Sequence, residues 1–165
     1  MLNPIDTEAV IRDDRISGVF PGEIHEGVAW WAGACHVVLS RASQMAVAHD
    51  GHPTTAEFHR RLCRGAVNAE HYACLVSDLG TAYEDQLRHA MKALGDVPGA
   101  LLSTAGDSGR QTVTIRLYDA QGRPVTEDTG LAKIRKLIDA DRVPRPVNNR
   151  AKGRVVERRD LVEAL

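Results

Sequence analysis

Net charge, long apolar runs and paired cysteines are what this sequence is short of, and each shortage excludes something. Lysine and arginine number 21 against 22 aspartates and glutamates, a net charge of −1. With a pI near 6.6, no general attraction to nucleic acid or to an anionic membrane follows. Apolar residues make up 43% of the chain, yet no run approaches the ~18 residues needed to span a bilayer. The first residues, M-L-N-P-I-D-T-E, carry no basic stretch followed by an apolar one, so no signal peptide is read there. Cys35, Cys63 and Cys74 lie far apart and fit neither a metal-ligand spacing nor a disulfide framework. They read as reduced core residues of a cytoplasmic protein. No internal repeat or low-complexity segment stands out.

What is there is a chain of 165 residues, the size of one domain with a real core. Residues 1–22 read as an irregular entry segment, with Gly18, Pro21 and Gly22 favouring a short strand or turn. Glu23 to Leu39 reads as a helix with Val28, Ala32, Cys35 and Leu39 on one face and Trp31 beside them. Trp30 and Trp31 cannot both face the core, so one is expected to be exposed or at an interface. Met45 to Ala48 reads as a short apolar strand running into H-D-G-H-P-T-T, where Thr54 or Thr55 caps the next helix. Phe58, Leu62 and Ala66 give that helix its buried stripe. Tyr72 to Val76 reads as the following strand, ending at Ser77-Asp78-Leu79-Gly80. Strand, glycine loop, helix and strand make a βαβ unit, whose strand-end loops are where open α/β sheets bind ligands. A helix with Leu87, Ala90, Met91 and Leu94 inward follows, with Gly95 as its C-cap. Thr126 caps a helix from Glu127 to about Ile138, with Leu131, Ile134 and Ile138 inward. Residues 141–154 are basic and proline-broken, a surface-tracking segment.

The stretch that organises the rest runs from Gly99 to Asp119. Ala100-Leu101-Leu102 enters a small-residue loop, Ser103 to Gly109, and a strand pattern leaves it, Val113, Ile115 and Leu117 alternating with Thr112, Thr114 and Arg116. The loop reads either as a plain glycine-rich turn or as a set of free N–H groups and hydroxyls that suits a phosphate oxygen. His49 and His52 likewise read either as a metal pair lacking further ligands or as polar residues at a ligand-facing edge.

The segment T-A-G-D-S-G-R-Q-T-V-T-I-R-L resembles the active-site loop of the α-D-phosphohexomutases, the phosphoglucomutase/phosphomannomutase family, where T-A-S-H-N-P precedes an N-G-x-K-type strand. Thr104 and Ala105 match. Gly106 stands at the serine that carries the phosphoryl group, Asp107, Ser108 and Gly109 at His, Asn and Pro, and Arg116 at the lysine. A-H-D-G-H-P-T-T is similar to the family's G-R-D-G-R-x-S-S, with Asp50 and Gly51 matching and His49 and His52 replacing arginines. Residues 13–24 resemble the D-I-R-G entry segment, with Arg15 the nearest counterpart of its active-site-facing arginine. D-L-G stands at Asp78 to Gly80, and residues 141–165 resemble the bridge into the family's second domain.

The resemblance implies an α/β fold, a mixed, mostly parallel sheet sandwiched between helices like the family's first domain, with an antiparallel strand from Thr112 to Tyr118. It implies a polar cleft for a phosphosugar or other small anion, formed by Arg15, His49, Asp50, His52, Thr104, Gly106, Asp107, Ser108 and Arg116. The family's metal loop has no counterpart in the sequence, so no metal or other cofactor is expected, and with glycine at the nucleophile no mutase activity. A homodimer or a protein partner is expected to cover the apolar surface that the family's other domains would cover, with no nucleic acid and no membrane involved. Two other readings stand beside this one. Ser103 or Ser108 as nucleophile, Asp107, and His49 or His52 as acid/base form a paper hydrolase or transferase. Or the chain is one subunit of a split mutase.

Overall fold

A computed structural model describes residues 5–69, 73–107, 109–140 and 152–163. The central element is a βαβ unit. The run Gln44–His49 (β3) is apolar on both faces and buried except at its ends, as a central parallel strand must be. Helix α3 (Pro53–Val67) buries Phe58, Leu62 and Ala66 against it, and β4 (Leu75–Thr81) returns parallel to β3. The helix starts at His52, whose Nδ1 accepts the Thr54 N–H, with Pro53 in the first turn. This corrects the expected cap at Thr54 or Thr55. β4 likewise starts later than expected and runs through Ser77 to Gly80, because pairing with β3 continues from Gln44↔Leu75 to His49↔Thr81. Tyr72 lies outside the described residues.

Around this unit the sheet has seven strands in the order β1-β2-β6-β5-β3-β4-β7, where β1 is Ile11–Arg12, β2 Arg15–Phe20, β5 Gly99–Asp107, β6 Arg110–Tyr118 and β7 Arg154–Glu157. β5, β3, β4 and β7 are parallel neighbours, while β6 is antiparallel to both β5 and β2, as the alternation over Thr112 to Tyr118 predicts. Five of the seven strands therefore run one way, and the fold is mixed and mostly parallel. Residues 7–20 are not irregular: α1 (Thr7–Val10), β1 and β2 form there because Val10, Ile11 and Ile16 are buried. The segment compared with an interdomain bridge supplies the edge strand β7 and the short α6 (Asp160–Glu163); residues 141–151 lie outside the described residues.

Helices cover both faces. On one, α2 (Glu26–Ser40), α3 and α5 (Ala132–Asp139) enclose the larger core; on the other, α4 (Glu84–Ala93) and α6 pack on Ala46, Ala48 and Leu79. α2 and α3 cross closely because Gly33 and Gly65 bear no side chain. A Cβ on Gly33 would lie 2.2 Å from the Leu62 carbonyl oxygen, and one on Gly65 2.0 Å from that of Trp30. α2 begins at a histidine cap, His25, rather than at Glu23, and Leu39 faces out. Trp31 is buried and Trp30 half-buried, packed edge to face at 5.8 Å, so neither indole is the exposed one expected. α4 buries Leu87, Ala90 and Met91, with Gly95 just past its end at φ +101. The helix expected from Glu127 opens with a π turn, Glu127–Leu131, broken at Gly130, before α5. Leu131, Ile134 and Ile138 still point inward. All three cysteines are free and buried, their thiols pushed up to about 12 by burial. No helix among the described residues is long and apolar enough to cross a membrane.

Candidate functional site

Of the expected site residues, His49, Asp50, His52, Thr104, Gly106 and Asp107 stand at or just beyond the C-terminal ends of β3 and β5, while Arg15 opens β2 and Arg116 lies within β6. The Ser103 to Gly109 segment is not a free loop: β5 runs on to Asp107, and the ladder with β6 continues to Asp107↔Arg110 as a tight hairpin. Pairing along the whole of β6 outweighs the weak strand preference of small residues. Ser108, in the hairpin turn, lies outside the described residues.

A strand alternates its faces, and this splits the expected site in two. Thr104 points to α3, where its Oγ1 lies 2.6 Å from that of Thr55. Ser103 points to the opposite face, into a cleft of about 370 Å³ shared with Arg15, Glu84, Leu101, Thr114 and Arg116. The structure thus brings together His49, Asp50, His52 and Thr104 on one side, and Arg15, Ser103 and Arg116 on the other. Gly106 and Asp107 sit out on the hairpin.

On the α3 side, acceptors already occupy the donors a phosphate would use. Asp50 takes the Thr104 N–H on Oδ2 at 2.7 Å and the His52 N–H on Oδ1 at 3.0 Å. His49 Nδ1 accepts the Gly51 N–H at 3.0 Å, and His52 Nδ1 the Thr54 N–H at 3.1 Å. A ring nitrogen that accepts an N–H carries no proton, so both rings serve here as acceptors that cap backbone N–H groups. Burial, with repulsion from His59, also pushes His49 below the ordinary histidine value. Among the described residues neither ring makes a hydrogen bond to a serine, so the expected pairing of His49 or His52 with Ser103 is not assembled.

On the other side, the register Ile16↔Ile115 sets Arg15 beside Arg116 one step further on. Like charges in this position repel, and two carboxylates offset them. Asp14 pairs with Arg15 at 3.0 Å, and Glu84 lies 3.9 Å from Arg116. Hydrogen bonding to Arg15 holds the Asp14 carboxyl below the usual value. Ser17 and Thr114 face each other across the same strands, hydroxyl to hydroxyl at 3.3 Å. Aligned on Ile16 and Gly18, the D-I-R-G arginine falls at Ser17 rather than at Arg15.

Two residues that the sequence reading did not place in a site are His59 and Asp78. His59 Nε2 sits 3.2 Å from Asp78 Oδ1, and its ring lies 4.5 Å from that of His49. Burial would raise the Asp78 carboxyl, but hydrogen bonds from His59 and the Gly80 N–H hold it below its ordinary value. The available signal was the parallel βαβ unit itself, which points one face of α3 at the ends of β3 and β4.

Comparison with known proteins gives a consistent picture. The family model described as phosphoglucomutase/phosphomannomutase, alpha/beta/alpha domain I, matches residues 10–144. The phosphomannomutase of Salmonella typhimurium is 27% identical over 138 residues, covering 84% of this chain and 29% of the relative. A Klebsiella pneumoniae phosphomannomutase is 25% identical over 138 residues, covering 84% of this chain and 85% of that sequence. The chain spans under a third of the length of the Salmonella relative. Among solved structures, a phosphoglucomutase/phosphomannomutase family protein of Burkholderia thailandensis superposes with a TM-score of 0.71 at 16% identity, over 90% of this chain and 32% of its own. A Thermus thermophilus protein assigned as a phosphomannomutase gives 0.63 at 23% identity, over 91% and 33%. These two likenesses show the shared fold. Carried by the family match over most of its length, the chain belongs to the phosphoglucomutase/phosphomannomutase family, as that family's first α/β/α domain.

Proposed function

We propose that this chain is a phosphohexomutase first domain that carries no phosphoryl group and binds a phosphosugar or related anion on the Arg15–Arg116 shelf. The observation that carries this reading is Gly106. At the position of the phosphoryl-carrying serine the backbone has φ +101, and a Cβ there would lie 2.4 Å from the Arg110 carbonyl oxygen. No side chain fits without reshaping the hairpin. The neighbouring hydroxyls do not substitute: Thr104 is turned into α3 and Ser103 to the opposite face. Asp50 holds the Thr104 and His52 N–H groups, itself standing where an anion would sit. That leaves the two guanidinium groups, with Ser103 and Thr114 beside them, as the donors suited to phosphate, which would compete there with Asp14 and Glu84.

Calorimetric titration with mannose 1-phosphate and glucose 1-phosphate at pH 6 and pH 8 tests this. Arginine stays charged at both, and a sugar phosphate becomes a fuller dianion above its second pKa of about 6. Binding should therefore hold or strengthen at pH 8, and weaken by about tenfold or more in Arg116→Gln. Binding lost at pH 8 would move the site to the histidines. No heat with either ligand overturns the anion reading. Incubation with glucose 1,6-bisphosphate should leave the intact mass unchanged; a phosphorylated species would overturn the first half.

A further inference from the structure

On the α3 side of the sheet, His49, His59 and Asp78 converge from three rigid elements. His49 closes β3, Asp78 lies within β4, and His59 stands on α3. One ligand atom from each lies within 4.8 Å of the others, and all three residues are half-buried. Cys63, one helical turn beyond His59, brings its Sγ to 3.7 Å from His59 Nε2. The His59 Nε2 to Asp78 Oδ1 distance is 3.2 Å. A tetrahedral zinc ion with bonds of ~2.1 Å to nitrogen or oxygen and ~2.3 Å to sulfur sets ligand–ligand edges of about 3.4 Å for N–O and about 3.6 Å for N–S. Two edges of such a tetrahedron are therefore already formed, both at His59, while the Cys63 Sγ stands outside the 4.8 Å group of the other three and closes the site only by a turn of its side chain.

We propose that His49, His59, Asp78 and Cys63 hold a single divalent cation of the zinc class. Imidazole and thiolate donors favour zinc or cobalt over magnesium and calcium, which prefer oxygen alone. A cleft of about 490 Å³ lined by His59, Cys63, Asp78 and Val155, with Arg60 and Arg64 also on its wall, reaches three of the four ligands. Binding is an exchange: the cation displaces the proton between His59 Nε2 and Asp78 Oδ1, which passes to the ring's Nδ1 from a neutral imidazole or to solvent from an imidazolium, and the proton of the Cys63 thiol leaves to solvent. Burial keeps that thiol protonated in the free protein, and a coordinated metal ion deprotonates it outright. His49 has more to rearrange. Its Nδ1 accepts the Gly51 N–H, and ligation through either ring nitrogen costs this hydrogen bond, because Nδ1 then carries the proton or binds the ion itself. The filled site would pin α3 to the ends of β3 and β4, directly behind the Asp50 turn.

The test is a cobalt titration of the full chain after removal of metals with a chelator, followed by visible and near-ultraviolet absorption. The expected result is saturation at one equivalent of Co²⁺, visible bands of a four-coordinate ion, a thiolate-to-cobalt charge-transfer band, and displacement by Zn²⁺. Cys63→Ser should abolish the charge-transfer band, and His59→Gln should weaken binding by about tenfold or more. Asp78→Asn serves as a second ligand variant, with circular dichroism to verify folding. No saturable spectrum, a wild-type spectrum without the charge-transfer band, or unchanged affinity in folded His59→Gln would overturn the site. Phosphosugar binding is not read in this experiment, so its outcome and that of the anion titration are independent.

Discussion

Gly106 combines a left-handed backbone with a carbonyl oxygen where a side chain would begin. Restoring the family's serine by Gly106→Ser should therefore not restore phosphorylation, and should destabilise the hairpin by roughly 1–3 kcal/mol. Urea unfolding and intact mass after exposure to glucose 1,6-bisphosphate check the two halves. A second residue sets the response to acid. His36 is buried, its Nε2 bonded to the Tyr118 carbonyl at 3.0 Å, and burial pushes it down to about 4 against the pull of that bond. In the unfolded chain a histidine titrates near 6.5. Between these values the unfolded chain binds a proton that the folded one does not. Stability is therefore full above about pH 6.5 and falls as the pH drops toward 4. His49, also lowered, acts in the same direction. From pH 7 to pH 5 the loss from His36 should be about 2 kcal/mol, read as a drop in the urea midpoint that His36→Gln flattens.

At the scale of elements, the α2–α3 crossing rests on two missing side chains. Gly65→Ala should cost about 1–3 kcal/mol by forcing the helices apart, measured by urea unfolding at pH 7. This crossing was not legible in the sequence, since a glycine within a helix does not say what approaches it. The βαβ unit was legible: an apolar run, a glycine loop and a stripe at Phe58, Leu62 and Ala66 follow from local periodicity. The hairpin was not. Ser103 to Gly109 has the composition of a loop, and only its partner strand makes it a ladder. Once it is a ladder, period-two alternation places Ser103 and Thr104 on opposite faces, and the single cleft drawn from the sequence becomes two surfaces. At His49 and His52 residue type left a metal pair and polar residues at a ligand-facing edge both open; the fold adds that each ring spends its lone pair on a backbone N–H. His59 was invisible because its partners, His49 and Asp78, meet it only through the fold.

At the scale of the whole molecule, the surface gives little support to a dimer built on tryptophan. Trp30 and Trp31 pack on each other and on the core, and the exposed large apolar side chains among the described residues are the scattered Leu39, Tyr83 and Val155. The sheet edges are short: β1 has two residues and β7 four, two of them charged. Light scattering should therefore give the monomer mass of 18.0 kDa; twice that mass would show an interface outside these features. The strand order has one more consequence, in time rather than in space. Strand β2 lies between β1 and β6, and Ile16 meets Ile115, 99 positions later in the chain. During synthesis at roughly 5–20 residues per second, about 5–20 s pass between the two. For that interval the N-terminal hairpin waits on the ribosome without its neighbour, while the β3–α3–β4 unit has all its parts and can assemble first.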